Sequence, residues 1–261
     1  MGNVIEKGIC RLNVVPVRKE PSDKSELVTQ LLFGEHYEVI ETSDDREWIM
    51  MRNALDDYVG WIDGKQFSAL DTSMSKYSPP KSYTITTDIC AKLILDDQEH
   101  YLVAGSILSS LSGQEGGYQF SGATTKNNIQ QRGAYLEEIS KKFLDIPYLW
   151  GGRTPFGIDC SGFTQLVFRI GGYFLKRDAW QQENQGIPIE SNEEIKPGDL
   201  AFFAKPGGDV SHVGIILGNS KIIHASGRVR IDKLDIRGIF NDELGKYTHD
   251  LFSIKRIIDH E

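Results

Sequence analysis

The chain has 261 residues, 39% of them apolar and 25% charged, the make-up of a soluble globular protein long enough for about two domains. Its net charge of −8 at pH 7, with no long basic run, excludes nucleic acid as the main partner, because phosphate contacts need clustered lysine and arginine. No apolar run of about 18 residues is present, so neither a transmembrane helix nor a membrane partner is expected.

The N-terminus, MGNVIEKGICRLNVV, lacks a basic segment followed by an apolar core, and Glu6 stands where N-myristoylation wants Ser or Thr. Cys10, Cys90 and Cys160 are odd in number and far apart. That suits a reducing compartment, and neither a disulfide framework nor a C-x-x-C metal pair. The expected location is the cytoplasm, or outside the cell had an export signal been removed.

Residues 1–75 are expected to form a small all-β barrel. Val14, Val15 and Val17 precede the turn-forming EPSDKSE, strand composition surrounds Gly34 in VTQLLFGEHYEVIE, and EWIMMR and DDYVGWI follow. Residues 76–127 read as a linker, with Pro79 and Pro80 in SMSKYSPPKS, and a second small β unit. That unit holds YTITTDICAKLIL and HYLVAGSIL and ends in the turn chemistry of SGQEGG and SGATT.

Over 128–261 the period changes. Ile129, Tyr135, Leu136, Ile139, Phe143 and Leu144 have helical spacing, stopped by Pro147. Phe163, Leu166, Val167 and Ile170 recur at i, i+3, i+4 and i+7 in a helix that begins near Cys160 and ends at Gly171 and Gly172. DLAFFA, HVGIILG, KIIHASG and FSIKRII follow as strands. Helices first and strands later predict an α+β domain, not a doubly wound sheet.

Cys160 lies in FGIDCSGF, between Asp159 and Ser161, at the start of the predicted helix. Asp159 is placed to cap it. The helix dipole and the free N–H groups of the first turn favour an anion there, so the thiol is expected to ionise more readily than a free one. The same N–H groups are placed to hold an oxyanion. An inert buried thiol is the commoner use of a free cysteine, and it is the reading for Cys10 and Cys90, which lie among apolar strand residues.

A nucleophilic thiol needs a base. Of the six histidines, two fall in VSHVGIILGNSKIIHASG, which reads as a hairpin. If Gly218, Asn219 and Ser220 form the loop, Gly214 faces His224, and His212 and His224 share one face on a diagonal. A two-residue loop would put them on opposite faces. The constellation is then Cys160 as nucleophile, His212 as base and His224 as the residue that orients it. A zinc site made by the cysteine and the two histidines is the rival reading, but no metal-binding spacing supports it, so no metal or other cofactor is expected.

YLWGGRTPFGIDCSGF, KPGDLAFF, SHVGIILG and IIHASG, in that order, resemble the NlpC-type cell-wall cysteine peptidases, a papain-like bacterial family. The resemblance covers about residues 130–261. It implies cleavage of peptidoglycan stem peptides beside γ-D-glutamate, with Cys160 as nucleophile, His212 as general base and His224 as third member. It further implies that Tyr148 contributes to the oxyanion region and that Trp150 and Ser161 line the substrate groove. The N-terminal region resembles a bacterial SH3-like domain in LLFGE and DDYVGW. In γ-D-glutamyl-L-diamino-acid endopeptidases of this arrangement, a Glu and a Tyr of the SH3-like domain and an Asp of the catalytic domain hold the free amine of L-Ala. The matching positions are Glu35, Tyr58 and Asp159. Ala179 stands where some relatives carry a serine after Arg-Asp.

The resemblance thus implies a hydrolase of murein peptides, L-Ala-γ-D-Glu-diamino acid, in peptide recycling, and a monomer is expected. Hydrolysis of intact wall, a non-catalytic wall-peptide-binding module, and an acyltransferase or amidase on the same thiol fold are the alternatives. Arg153, Arg177, Arg228 and Arg230 are the candidate cations for substrate carboxylates.

Overall fold

The computed structural model describes residues 4–70, 82–111, 117–191 and 194–258. The predicted linker up to Lys81 and the SGQEGG turn up to Gly116 lie outside the described residues. The chain divides into two compact units, residues 1–128 with 150–155, and residues 129–149 with 156–261.

In the first unit, six strands are found before residue 70: β1 (Glu6–Ile9), β2 (Val14–Arg18), β3 (Leu27–Leu32), β4 (His36–Thr42), β5 (Trp48–Asn53) and β6 (Val59–Asp63). They form one antiparallel sheet in the order β1-β4-β5-β6-β2-β3. Side chains alternate with period two, so Val15, Val17, Leu31, Tyr37, Val39, Ile49, Met51 and Ile62 gather with Cys10 in one core. The sequence reading missed β1, whose EKGI offers too short a pattern to see.

The second β piece holds β7 (Thr84–Thr86), β8 (Cys90–Leu95), β9 (Gln98–Val103), β10 (Tyr118–Ser121) and β11 (Thr124–Lys126). They make a three-stranded sheet, β10-β8-β9, and a β11-β7 pair. The β8–β9 hairpin turns through Asp96 and Asp97, both at positive φ. This piece shares its core with the first sheet: Phe33 packs among Leu93, Leu102, Leu108 and Leu111, and its carbonyl accepts the Ile107 N–H at 2.8 Å.

Residues 150–155 fall in the first unit rather than with the thiol. Arg153 and the close approach of Gly151 explain this. A Cβ on Gly151, at φ +76°, would lie 2.3 Å from the Leu27 carbonyl oxygen, a distance no side chain tolerates.

The second unit holds α1 (Gly133–Lys141), α2 (Cys160–Ile170) and the single turn α3 (Ala179–Glu183). Its strands are β12 (Ile187–Pro188), β13 (Leu200–Ala204), β14 (Val210–Leu217), β15 (Lys221–Ser226), β16 (Arg228–Leu234), β17 (Gly238–Asn241) and β18 (Lys246–Arg256). Among the described residues they form one seven-stranded sheet, β12-β18-β13-β14-β15-β16-β17, closed on itself by a β17–β18 pairing. Ala201, Phe203, Ile216, Ile222, Leu234, Ile239 and Ile254 fill its interior. Every residue of α2 is buried, and the helix packs on β14 and β15. That is the arrangement of an apolar helix used as core, with Asp159 and Cys160 at the end where it meets the sheet.

The α+β layout is as expected. α1 begins at Gly133, later than the apolar spacing suggested, and leaves Ile129 and Leu144 exposed. No helix among the described residues is long and apolar enough to cross a membrane.

Candidate active site

Asp159 caps α2 by accepting the Gly162 N–H at 2.7 Å, which fixes the first turn and puts Cys160 at its start. A buried fork of arginine holds the cap in place. Arg177 donates to Asp159 Oδ1 at 3.0 Å, to Asp159 Oδ2 at 2.6 Å and to Ser161 Oγ at 2.9 Å. Gln182, fully buried, ties α3 to this turn: it accepts from Thr164 Oγ1 at 2.7 Å and donates to the Ser161 carbonyl at 3.0 Å. Ser161 is therefore committed to the cap network.

The β14–β15 hairpin has the register set by a three-residue loop. Leu217 pairs Lys221, Gly214 pairs His224, and Asn219 and Ser220 take positive φ in the turn. Gly214 leaves the room His224 needs, since a Cβ there would lie 2.9 Å from the His224 Cβ. His212 Nε2 and His224 Nδ1 stand 2.8 Å apart, and His224 Nε2 lies 3.0 Å from Asp232 Oδ2 on β16.

These contacts assign the protons. Burial alone would raise the Asp232 pKa, but hydrogen bonds from His224 and Arg230 outweigh it and hold the carboxyl below its ordinary value. An ionised Asp232 only accepts, so His224 Nε2 carries a hydrogen and His224 Nδ1 carries a lone pair. His212 Nε2 must then be the donor to His224, which leaves the lone pair on His212 Nδ1. Burial, followed by the charges of His224 and His249, keeps His212 well below its ordinary pKa, so it rests as a neutral base.

The Cys160 thiol touches the backbone on both sides of His212. Its Sγ is 4.0 Å from the Ser211 carbonyl oxygen and receives the Val213 N–H. The Tyr148 phenol is pushed up by burial and then by the charges of Cys160 and Asp159, which places it in the field of the thiol. The Cys160 thiol and the His212 ring are both buried, at 6% and 6% exposure.

The expectation of a readily ionised thiol is corrected. Burial, then the Asp159 carboxylate, push Cys160 up to about 12, against the lowering pull of the Val213 and Ser161 N–H groups and Arg177. Desolvation outweighs the helix start, so the free site rests as thiol and neutral imidazole.

The remaining candidates are placed as follows. Trp150 is exposed, with its ring N–H on Glu26 at 2.7 Å in the first unit. Glu35 is fully buried and is held by Arg153 at 3.1 and 3.3 Å and by Asn53 at 3.1 Å. Tyr58 is half-buried at the entry to β6, its N–H on Asp56 at 3.0 Å. The four candidate cations all have carboxylate partners inside the protein: Arg153 with Glu35, Arg177 with Asp159, Arg228 with Asp145 and Glu243, and Arg230 with Asp232 and Glu243.

Sequence reasoning missed Asp232, Gln182 and His249. Asp232 shares one face of β16 with Arg230 and Leu234, in a strand that was not predicted. His249, on β18, stacks on His212 at 4.2 Å between ring centres and 24° between planes.

Residues 145–247 match the NlpC/P60 family, and residues 17–67 match the bacterial dipeptidyl-peptidase Sh3 domain. The chain carries an NlpC/P60 cysteine-peptidase domain preceded by a bacterial SH3-like domain. The chain is 28% identical, over 84% of its length and 74% of the relative, to a protein of Bacillus subtilis named gamma-D-glutamyl-L-lysine dipeptidyl-peptidase. It is 27% identical, over 86% of its length and 75% of the relative, to a Bacillus cereus protein of the same name. A solved NlpC/P60 family protein from Bacillus cereus shares the fold, with a TM-score of 0.81, 19% identity and coverage of 97% of this chain and 100% of the other.

Proposed function

We propose that the enzyme hydrolyses the bond between the γ-carboxyl of D-Glu and the following diamino acid in murein peptides that begin with a free L-Ala. The observation that carries the reading is the Cys160 thiol against the His212 strand, with the Asp232–His224–His212 chain leaving His212 Nδ1 as the base. The names of the relatives support the bond and the substrate class.

Cys160 Sγ attacks the γ-carbonyl carbon while its proton passes to His212 Nδ1. N–H groups of the α2 first turn and the Tyr148 hydroxyl stabilise the oxyanion. The C–N bond breaks, His212 returns the proton to the leaving amine, and a thioester remains. Water, deprotonated by His212, cleaves the thioester and releases L-Ala-D-Glu with the thiol restored. Nothing in this sequence of steps requires a metal or an organic cofactor.

Recognition of the free amine is assigned to Glu35, Tyr58 and Asp159. Glu35 is paired with Arg153 and Asp159 with Arg177, so the ammonium meets carboxylates that are already ion-paired and not bare opposite charge. Trp150 and Ser161 are assigned to the substrate groove, while Trp150 also donates to Glu26 and Ser161 also serves the α2 cap. Peptides with a free L-Ala arise after release from the sugar, which fits recycling in the cytoplasm by a monomeric enzyme.

The test is incubation with L-Ala-γ-D-Glu-diaminopimelate, the lysine analogue and their N-acetylated forms, read by mass spectrometry. Release of L-Ala-D-Glu from the free peptides alone is expected. Equal cleavage of the acetylated forms would discard the amine recognition and favour wall hydrolysis, and cleavage of none would overturn the peptidase reading of this substrate.

A further inference from the structure

Three imidazoles meet in the second unit, and the peptidase chemistry uses two of them. We propose that His212, His224 and His249 form an inhibitory site for a borderline-soft divalent metal ion, zinc above all, that silences the enzyme reversibly. Each offers one ring nitrogen, and the three atoms lie within 4.8 Å of one another. A tetrahedral zinc ion with nitrogens at about 2.0–2.1 Å requires them to be about 3.4 Å apart. The His212–His224 distance of 2.8 Å and the 4.8 Å limit bracket that value, and binding requires the His249 ring to turn out of its stack on His212 so that its lone pair meets the other two.

The surroundings of the cluster match those of a metal centre. Histidine ligands donate their second ring N–H to a carboxylate, hydroxyl or carbonyl, which fixes the tautomer that faces the ion. His224 Nε2 has Asp232 at 3.0 Å, so its Nδ1 faces the cluster. His249 Nδ1 has Thr248 Oγ1 at 2.9 Å, and the Thr248 hydroxyl lies 3.5 Å from the Ile239 carbonyl as its own acceptor. His249 Nε2 is then the nitrogen that carries a lone pair. Asp232 and Thr248 thus stand behind two of the three ligands as ready outer partners.

Inhibition follows from the third. The ion takes the lone pair of His212 Nε2, the nitrogen that otherwise carries the hydrogen bonded to His224. That hydrogen moves to His212 Nδ1, with no net proton released. Nδ1 is the atom that must accept the Cys160 proton, so the metal-bound enzyme has no base for its thiol.

The test measures zinc retained after equilibrium dialysis, with the cobalt absorption band as a second readout, in the wild type and in Cys160→Ser, His249→Phe and Thr248→Val. Neither readout needs a substrate, so its failure is separate from failure of the substrate reading. One zinc per chain is expected in the wild type and in Cys160→Ser. Affinity should fall about tenfold or more in His249→Phe, and roughly 10-fold in Thr248→Val, where only the outer partner is lost. Within each active variant, turnover with and without equimolar zinc gives the inhibition ratio. It should be tenfold or more in the wild type, restored by EDTA, and near one in His249→Phe. Thr248→Val keeps all three rings and decides the matter should His249→Phe not fold. Zinc binding lost in Cys160→Ser but kept in His249→Phe would put the ion on the thiol and overturn the proposal, as would no stoichiometric zinc in the wild type.

Discussion

Asp232 touches no reacting atom in the proposed chemistry, yet it decides which nitrogen of His212 is the base. With Asp232→Ala, His224 loses its acceptor and is free to turn its hydrogen toward His212, which removes the reason for His212 to keep Nδ1 unprotonated. Arg230 retains Glu243 at 2.9 Å, so the damage falls on the histidine chain. The expected result is a fall in kcat of roughly 10–100-fold with KM little changed, the usual cost of an outer partner. A change in KM alone would assign Asp232 to substrate binding instead. Cys160→Ala removes the nucleophile outright. Turnover should disappear, while the melting temperature should stay close to that of the wild type, since only one sulfur leaves a site of small neighbours. Rates near wild type would remove the thiol mechanism. The thiol, pushed up to about 12 by burial, is also expected to react slowly with iodoacetamide in the free enzyme, so slow alkylation does not mark it as vestigial.

Elements with apolar runs around a recognisable turn could be read from the sequence. The 212–224 hairpin was, because Gly218, Asn219 and Ser220 are turn formers and period two then fixes which residues face each other. The helix starting at Cys160 was legible from the spacing of Phe163, Leu166, Val167 and Ile170. What escaped lies where composition misleads or long-range partners decide. β16 and its Asp232 form a tight hairpin with β15, but the RVRIDKL segment reads as a charged surface stretch. Residues 150–155 lie inside the sequence resemblance to the peptidase, but Arg153 belongs to Glu35, 118 positions earlier. That buried pair makes an element-scale prediction. Arg153→Met leaves Glu35 fully buried without its cation, and breaking such a pair from one side costs about 3–5 kcal/mol. Urea unfolding should show that loss, and joint replacement of Arg153 and Glu35 by Met and Leu should recover most of it. A single replacement that costs nothing would mean the carboxyl is held by hydrogen bonds alone.

Across the whole molecule, acid should act in two stages. His36, half-buried on β4, is pushed down to about 4 by burial first and then by the charges of Arg11 and Lys7. The unfolded chain takes up this proton near pH 6.5. Between about 6.5 and 4 the unfolded state therefore binds more protons than the folded one, and stability rises with pH across that window and is lost as pH falls through it. Each unit of separation is worth on the order of 1.4 kcal/mol. Asp232 is displaced downward by its partners, so its contribution is present above the unfolded carboxyl value and disappears only at lower pH. Urea midpoints measured from pH 7.5 to 3.5 should therefore begin to fall near 6.5, before carboxylates titrate. His36→Gln, which cannot charge, should reduce the early part of that fall and leave the later part unchanged. A midpoint that is flat from pH 7 to 4.5, or an early fall untouched by His36→Gln, would show that His36 protonates equally well in the folded chain and that its neighbours Arg11 and Lys7 do not act on it.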